Sequence, residues 1–397
     1  MWALLREAKP YLSALQEFLM LVGLVGAPNS GKSTFFRAAT LSPAEVASYP
    51  FTTIKPNQGV GYLTAECPCR RLGVKCDPQN SRCESGTRMI PVKLLDVAGL
   101  VPDAHKGKGM GNQFLNDLTQ ASGLIHVLDA SGKTNSEGKP DSWDPKKTVE
   151  MLEYEVDEWL RDIIEKSYQK CRKTAEATKA PLERMMAQKL SGLGIGEDDI
   201  KSAMREHGPE EHGFATALRR ISKPIIIAAN KADLPEAQGN LEALKGPDTI
   251  PCSAESELAL REAGRHGLVS YLPGSGGFEV RGEPSEKQSS ALEFIRKFLE
   301  RYGSTGVQAC LNKLVFEKLG MIVVYPVASM GKLSDNQGRV LPDAHLVPKG
   351  TTLRELAARV HTTMAEAFIG GLDIEKKKIG ADYELRDGDV VEILFKG

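Results

Sequence analysis

Leu21-Val-Gly-Leu-Val25-Gly-Ala-Pro-Asn-Ser-Gly31-Lys32-Ser33 is a short apolar run that passes directly into Gly-x-x-x-x-Gly-Lys-Ser. The run reads as a buried strand, the glycine-bearing segment as a loop, and Lys32 to Ala39 as the following helix. Strand, loop and helix in that order are the context a phosphate-cradling loop requires. Gly26 and Gly31 let backbone N–H groups approach an anion closely, and the helix start aims its positive dipole end at it. Asn29, Ser30, Gly31, Lys32, Ser33 and Thr34 are therefore the expected phosphate contacts. Lys32 would reach the β- and γ-phosphates, and the Ser33 hydroxyl would ligate Mg²⁺.

Three more strings follow in a fixed order: Thr52-Thr53, Asp96-Val-Ala-Gly99 and Asn230-Lys231-Ala-Asp233. Asp96 ends an apolar strand and would hold Mg²⁺ through water, while the Gly99 N–H meets the γ-phosphate. Asn230 also ends an apolar strand. The Asp233 carboxylate there can accept two hydrogen bonds from the N1–H and N2–H₂ edge of guanine. Adenine presents a lone pair at N1, so the same carboxylate would face it unpaired, at a cost of several kcal/mol. Ser253-Ala254-Glu255, after another strand, fits the loop that contacts the guanine oxygen.

Outward from these strings, the strand candidates are Gly59–Leu63, Met89–Leu95, Leu124–Leu128, Pro224–Ala229 and Thr249–Cys252. They predict an α/β fold with a largely parallel sheet, the chemistry lying at strand ends. Two stretches interrupt the plan. Residues 65–88 form a polar, turn-rich insert carrying Cys67, Cys69, Cys76 and Cys83. Residues 145–222 are expected to be wholly helical, and account for the 134 positions between Asp96 and Asn230. From Arg161 to Lys189 eight Lys/Arg stand against four acids, a basic face suited to an RNA backbone or simply to solvent. After Gly303 the texture predicts a compact α+β module, with strands Ile322–Tyr325 and Val390–Phe395 and a helix Thr352–His361.

The bulk numbers are those of an ordinary globular protein: 397 residues, 41% hydrophobic, 26% charged, net charge −1. No global field draws the chain to DNA, RNA or membrane, so any such attraction must be local. Seven cysteines, an odd count, argue against a disulfide framework and for a reducing compartment. No apolar run reaches the roughly 18 residues of a membrane helix. The expected location is cytoplasmic, with neither membrane nor DNA as partner, and residues 1–19 read as a dispensable extension before Met20. The cysteine spacing C-x-C-x₆-C-x₆-C departs from the common metal-binding pairs and favours reduced surface or partly buried thiols over zinc. Trp143, Trp159 and the methionines read as packing residues.

Three longer strings carry a family likeness: Tyr49-Pro-Phe-Thr-Thr-Ile-Lys-Pro-Asn57, Asp96-Val-Ala-Gly-Leu-Val-Pro102 and Lys106-Gly-Lys-Gly-Met-Gly-Asn-Gln-Phe114. From Met20 onward the chain resembles the Obg-related translation-factor GTPases, in the archaeal-type YchF group. That resemblance implies a P-loop NTPase G domain at 20–144 and 223–303, with the helical insertion at 145–222. A C-terminal region at 304–397 would carry a β-grasp TGS domain from about 319, associated with RNA and ribosome contacts. It makes Thr53 the switch threonine that closes on Mg²⁺ and the γ-phosphate. Many YchF relatives replace the guanine-reading string with one that accepts ATP, whereas Lys231 and Asp233 are intact here, so GTP is expected.

The activity expected is slow hydrolysis of GTP to GDP and phosphate, with Lys32, Thr53 and Gly99 as catalytic groups and the ribosome or ribosomal RNA as partner. The rate is expected to be low because Leu100 stands where Ras-like enzymes have a water-orienting glutamine. Asn29 matches the asparagine with which glutamine-lacking relatives hold K⁺, and His105 is a further group that could orient water. The rival readings are an ATP- or GTP-binding RNA-associated module with little hydrolysis, and a P-loop phosphotransferase.

Overall fold

The computed structural model describes residues 20–41, 57–97 and 111–396. The expected extension at 1–19, Thr53 and the rest of its string up to Pro56, and Gly99, Leu100 and His105 lie outside the described residues. So does 98–110, which holds the first part of the glycine-rich string.

The first sheet is built from β1 (Leu21–Val25), β2 (Gln58–Glu66), β3 (Arg82–Glu84), β4 (Thr87–Asp96), β5 (Gly123–Asp129), β6 (Ile225–Asn230) and β7 (Thr249–Pro251). Its order is β2-β4-β1-β5-β6-β7, with β3 also on β4. β4, β1, β5, β6 and β7 run parallel, while β2 and β3 are antiparallel to β4. α1 (Lys32–Thr40) follows the phosphate loop and packs on one face of the sheet. Phe35, Val22, Leu24, Ile125 and Val127 fill that side, and Val25, Leu95, Val97 and Leu124 point to the other. The alternation is what a strand covered on both faces demands.

Residues 65–88 are more ordered than a turn-rich insert. β2 continues to Glu66, α2 (Pro68–Leu72) follows, and β3 forms a hairpin with β4 through Ser85 and Gly86. Cys67 and Cys69 are buried, which corrects their reading as surface or partly buried thiols; Cys76 and Cys83 are half-buried. None of the seven cysteines forms a disulfide.

The second face of the sheet is covered by α3 (Gly111–Gln120) and the helices of the insertion: α4 (Pro145–Thr178), α5 (Leu182–Leu190), α6 (Glu197–Met204) and α7 (His212–Ser222). Residues 145–222 are thus mostly but not wholly helical, with breaks at 179–181, 194–196 and 205–211. α4 begins on an Asp144 cap that accepts from the Lys146 N–H at 3.0 Å, with Pro145 in the first turn. It buries Leu152, Val156, Trp159, Leu160, Ile164 and Tyr168 and leaves Lys166, Lys170, Arg172 and Lys173 exposed. Lys223, at the end of α7, is buried and donates to the Ala121 carbonyl beyond α3, so burial pulls its pKa down to about 8.

α8 (Ala237–Ala243) and α9 (Ala254–Arg265) flank β7, followed by the small β8 (Val269–Ser270) and β9 (Glu279–Val280) pair and α10 (Glu286–Tyr302). α11 (Val307–Asn312) leads through a π-turn into the second sheet. That sheet contains β10 (Met321–Val327) and β11 (His345–Pro348), then α12 (Leu353–Val360), α13 (Thr362–Glu366), β12 (Phe368–Leu372), β13 (Lys378–Ile379) and β14 (Val390–Phe395). Its order is β11-β10-β14-β12-β13, and α12 covers one face through Leu353, Leu356 and Ala357.

The two sheets share a core. Val323, Tyr325, Val327, Leu341 and Val390 pack in the same apolar cluster as Leu63, Ile90, Val92, Cys67 and Cys69. The insert supplies the polar seam: Asp77 N–H donates to Val340 O at 2.8 Å, and Gln79 N–H to Pro342 O at 2.7 Å. The Asn80 amide exchanges hydrogen bonds with both Ala344 N and Ala344 O, at 2.9 and 3.0 Å.

Candidate functional site

The site forms where β1, β4, β5 and β6 end side by side. Register pairs Leu24 with Asp96 and with Ile125, and Asp129 with Asn230, so four loops leave one edge of the sheet together. This is where an open α/β sheet binds its ligand.

The phosphate loop is shaped by its two glycines. Gly31 has φ +92, and a Cβ there would lie 2.2 Å from the Asn230 side chain. A Cβ on Gly26 would lie 2.4 Å from the Val127 carbonyl. Neither position can carry a side chain without moving backbone or the neighbouring loop. Asn29 is left-handed at φ 64, and its amide donates to Gly138 O at 2.9 Å. The Ser30 hydroxyl is buried with no hydrogen-bond partner, a polar atom at the floor of an anion-shaped cradle. Lys32 makes an ion pair with Asp96 and donates to Val97 O at 2.7 Å, while Ser33 is exposed and Thr34 half-buried. The structure thus brings Lys32, Ser33 and Asp96 into one neighbourhood.

Asn230 and Lys231 fasten the base-side loop to the phosphate loop. The Asn230 amide donates to Ser30 O at 2.9 Å and its oxygen accepts from Ala254 N–H at 3.0 Å. Lys231, with φ 60, spans the phosphate loop, donating to Asn29 O and to Asp129 Oδ2, both at 2.8 Å. Asp233 is half-buried beside them. Ser253 caps α9, its hydroxyl accepting from Ser256 N–H at 3.3 Å, and its own N–H donates to Thr305 O at 2.9 Å. Ala254 is buried and Glu255 exposed.

Asp129 has no counterpart in the sequence reading. It is buried at the end of β5 and accepts from Lys231, from Ser131 N–H and Oγ–H at 3.0 and 2.6 Å, and from Thr134 Oγ–H at 2.7 Å. Burial pushes its carboxyl pKa up, but these hydrogen bonds and the Lys231 charge outweigh it and hold the pKa below the usual range. The available signal was positional: an acid directly after an apolar strand, followed by Ser131 and Thr134. Glu257 was also missed; fully buried on α9, it binds Arg261, Tyr271 and Thr305 and so braces the Ser253 loop.

The donor set fits a magnesium-bound triphosphate. A cradle closed to any Cβ and an orphaned buried hydroxyl at Ser30 suit an anion, and a hydroxyl and a carboxylate at Ser33 and Asp96 beside it are hard oxygen donors for Mg²⁺. Among the described residues, no helix is long and apolar enough to cross a membrane.

Comparison with known proteins agrees with this geometry. Residues 21–179 match the model described as 50S ribosome-binding GTPase, and residues 228–329 that of the Obg-like GTPase YGR210-like, G4 motif-containing domain. Residues 337–395 match the TGS domain. The chain is similar to a GTP-binding protein of Methanocaldococcus jannaschii, 50% identical over 95% of this chain and 99% of that one. It is similar to the ribosome-binding ATPase YchF of Bacillus subtilis, 27% identical over 95% and 99% of the two chains. Its structure is similar to that of a GTP-binding protein from Pyrococcus horikoshii, with a TM-score of 0.75 and 38% identity, over 95% of this chain and 100% of that one. A P-loop G domain that shares its core with a TGS domain, at this level of identity over nearly the full length, places the chain in the YchF-type family of Obg-like GTPases.

Proposed function

We propose that this chain binds GTP in preference to ATP, hydrolyses it slowly with Mg²⁺, and uses the two nucleotide states to change its affinity for the ribosome. The observation that carries the reading is the junction of the Asn230-Lys231-Ala-Asp233 loop with the phosphate loop through Ser30 O and Asn29 O. A base reader locked to a phosphate cradle fixes ring and triphosphate as one unit. Asp233 then supplies the carboxylate that pairs with guanine and faces a lone pair on adenine.

In this proposal Lys32 leaves Asp96 for the β- and γ-phosphates, where its charge offsets the negative charge that builds on the oxygens during transfer to water. Ser33 and Asp96, with Thr53, would hold Mg²⁺, which supplies further charge neutralisation when bound. The Gly99 N–H would meet the γ-phosphate, and Ser30, Gly31 and Thr34 would offer the remaining phosphate contacts. Ser253, Ala254 and Glu255 would line the guanine edge, with Ala254 held in place by Asn230. The Asn29 amide nitrogen is engaged by Gly138, which leaves its oxygen as the atom a K⁺ ion would use. Leu100 offers no hydrogen bond to a water, which supports a low intrinsic rate.

The ribosome as partner is supported by the name of the Bacillus subtilis relative, by the description of the matched G-domain model, and by the TGS match. The exposed lysines of α4 suit a phosphate backbone. That relative is named an ATPase, so nucleotide choice is the sharpest point to test. Single-turnover hydrolysis of GTP and ATP, with and without ribosomes and with K⁺ exchanged for Na⁺, is the experiment. GTP is expected to be cleaved faster, and ribosomes and K⁺ each to raise the rate. Equal affinity for ATP and GTP would overturn the guanine reading.

A further inference from the structure

The cysteines of the insert meet in space although their linear spacing is irregular. The Sγ atoms of Cys67, Cys69, Cys76 and Cys83 all lie within 4.8 Å of one another, and those of Cys69 and Cys83 are 3.7 Å apart. A tetrahedral ion with Zn–S bonds of 2.3 Å places its sulfurs about 3.8 Å apart. The short C-x-C pair is explained by its position. Cys67 is the extended residue capping α2 and Cys69 lies in the first turn, so the chain turns between them. Gly73, left-handed at φ 64, ends α2 and returns the chain towards Cys76, and the β3–β4 hairpin supplies Cys83.

A second observation points the same way. Arg88 stands directly opposite Cys83 in the β3–β4 register, on the same face of the hairpin. Its side chain is fully buried, with Nη2 donating to Leu341 O at 2.5 Å and the guanidinium 5.4 Å from the Tyr325 ring centroid. Nε and Nη1 have no hydrogen-bond partner, and among the described residues no carboxylate pairs with Arg88. A buried cation without a counter-charge is strongly destabilising. Four thiolates around a divalent cation carry a net double negative charge, which is the counter-charge missing beside Arg88.

We propose that Cys67, Cys69, Cys76 and Cys83 bind one Zn²⁺ as a closed tetrathiolate that fastens the insert, and through it the TGS sheet, to the nucleotide-binding sheet. Four sulfur ligands complete the coordination of Zn²⁺ and leave no open position for substrate, so the site is structural. Binding releases the four thiol protons and forms four Zn–S bonds. The insert has few apolar residues of its own, and Asp77, Gln79 and Asn80, between Cys76 and Cys83, make the hydrogen-bonded seam to residues 340–344. Fixing the ligands therefore fixes the seam.

The test uses the full-length chain, purified with a reductant from zinc-supplemented cells. About one equivalent of zinc per chain is expected by elemental analysis, released when about four equivalents of a mercurial thiol reagent are added. Refilling the stripped protein with Co²⁺ alone should give the intense thiolate charge-transfer and visible bands of a tetrahedral tetrathiolate. C76S should lose at least about 100-fold in zinc affinity. R88M, which keeps all four thiols, should lose about 10-fold. Stripping zinc should speed protease cleavage within residues 67–88. Less than about 0.1 equivalent of zinc with no cobalt bands, stoichiometric iron in its place, or a disulfide among the four would overturn the assignment. Bound zinc whose removal leaves cleavage unchanged would overturn the fastening role. None of these readouts depends on nucleotide turnover.

Discussion

The amide of Asn230 donates to the carbonyl of Ser30 at 2.9 Å, joining two loops 200 positions apart in sequence. The same side chain accepts from Ala254 N–H, so one buried amide sets the spacing of the phosphate loop, the Asn230–Asp233 loop and the Ser253 loop. Asn230→Ala leaves a buried carbonyl and a buried N–H unpaired. It should lower stability by about 2–4 kcal/mol in urea denaturation and weaken GTP by at least about tenfold in a fluorescent-nucleotide titration. An unchanged midpoint and affinity would remove Asn230 from this role.

Asp233→Asn tests the base. The amide replaces the carboxylate proposed to accept two hydrogen bonds from guanine with a group that both donates and accepts. GTP affinity should fall by about 100-fold, the loss of roughly 3 kcal/mol of charge-assisted bonding. Xanthosine triphosphate, whose 2-oxo group accepts where guanine donates, should gain affinity. Calorimetric titration of GTP and XTP settles it, and a variant that still prefers GTP over XTP refutes the assignment.

Lys32→Met removes the cation now paired with Asp96 while keeping length and apolar stem. Single-turnover GTP cleavage should drop by about 10²–10³-fold. The fold should survive, since the lysine is partly exposed. A drop smaller than about threefold with ribosomes present would argue that the charge comes from elsewhere.

Asp129 gives a pH signature. Its pKa is depressed in the fold, so its stabilisation is present above the unfolded value of about 3.9 and is lost as pH falls through the folded value. Asp129→Asn should therefore be less stable than the parent at pH 7, by about 2 kcal/mol, and the gap should narrow below about pH 4. A gap as large at pH 3 as at pH 7 would mean the cost is packing rather than charge.

Much of the site was legible because its residues sit at strand ends, where an apolar run of five or six residues stops at a polar string. Leu21–Val25 before the phosphate loop and Ile225–Asn230 before Lys231 are cases in which local sequence and tertiary role coincide. Asp129 escaped because a single carboxylate after a strand has no spacing signature; only the register that sets it beside Asn230 reveals it. The insert escaped for a different reason. Its order comes from partners far along the chain, Val340, Pro342 and Ala344, and its buried residues are few: Cys67, Pro68, Cys69 and Arg88. The antiparallel edge formed by β2 and β3 was hidden likewise, since direction is set by connection length and not by side chains.

Arg88 gives the seam a consequence for biosynthesis. It lies at the start of β4, beside the edge strand β2 and the β3 hairpin, yet the carbonyl that receives it, Leu341 O, is encoded 253 positions later, and the ring beside it, Tyr325, nearly as late. While the chain is being translated, the G domain must wait with a guanidinium and an apolar flank bare to the surroundings. Shielding during that interval, by a chaperone or by the exit-port surface, is a demand written into the topology, and a product truncated before Met321 should aggregate rather than persist as a free GTPase.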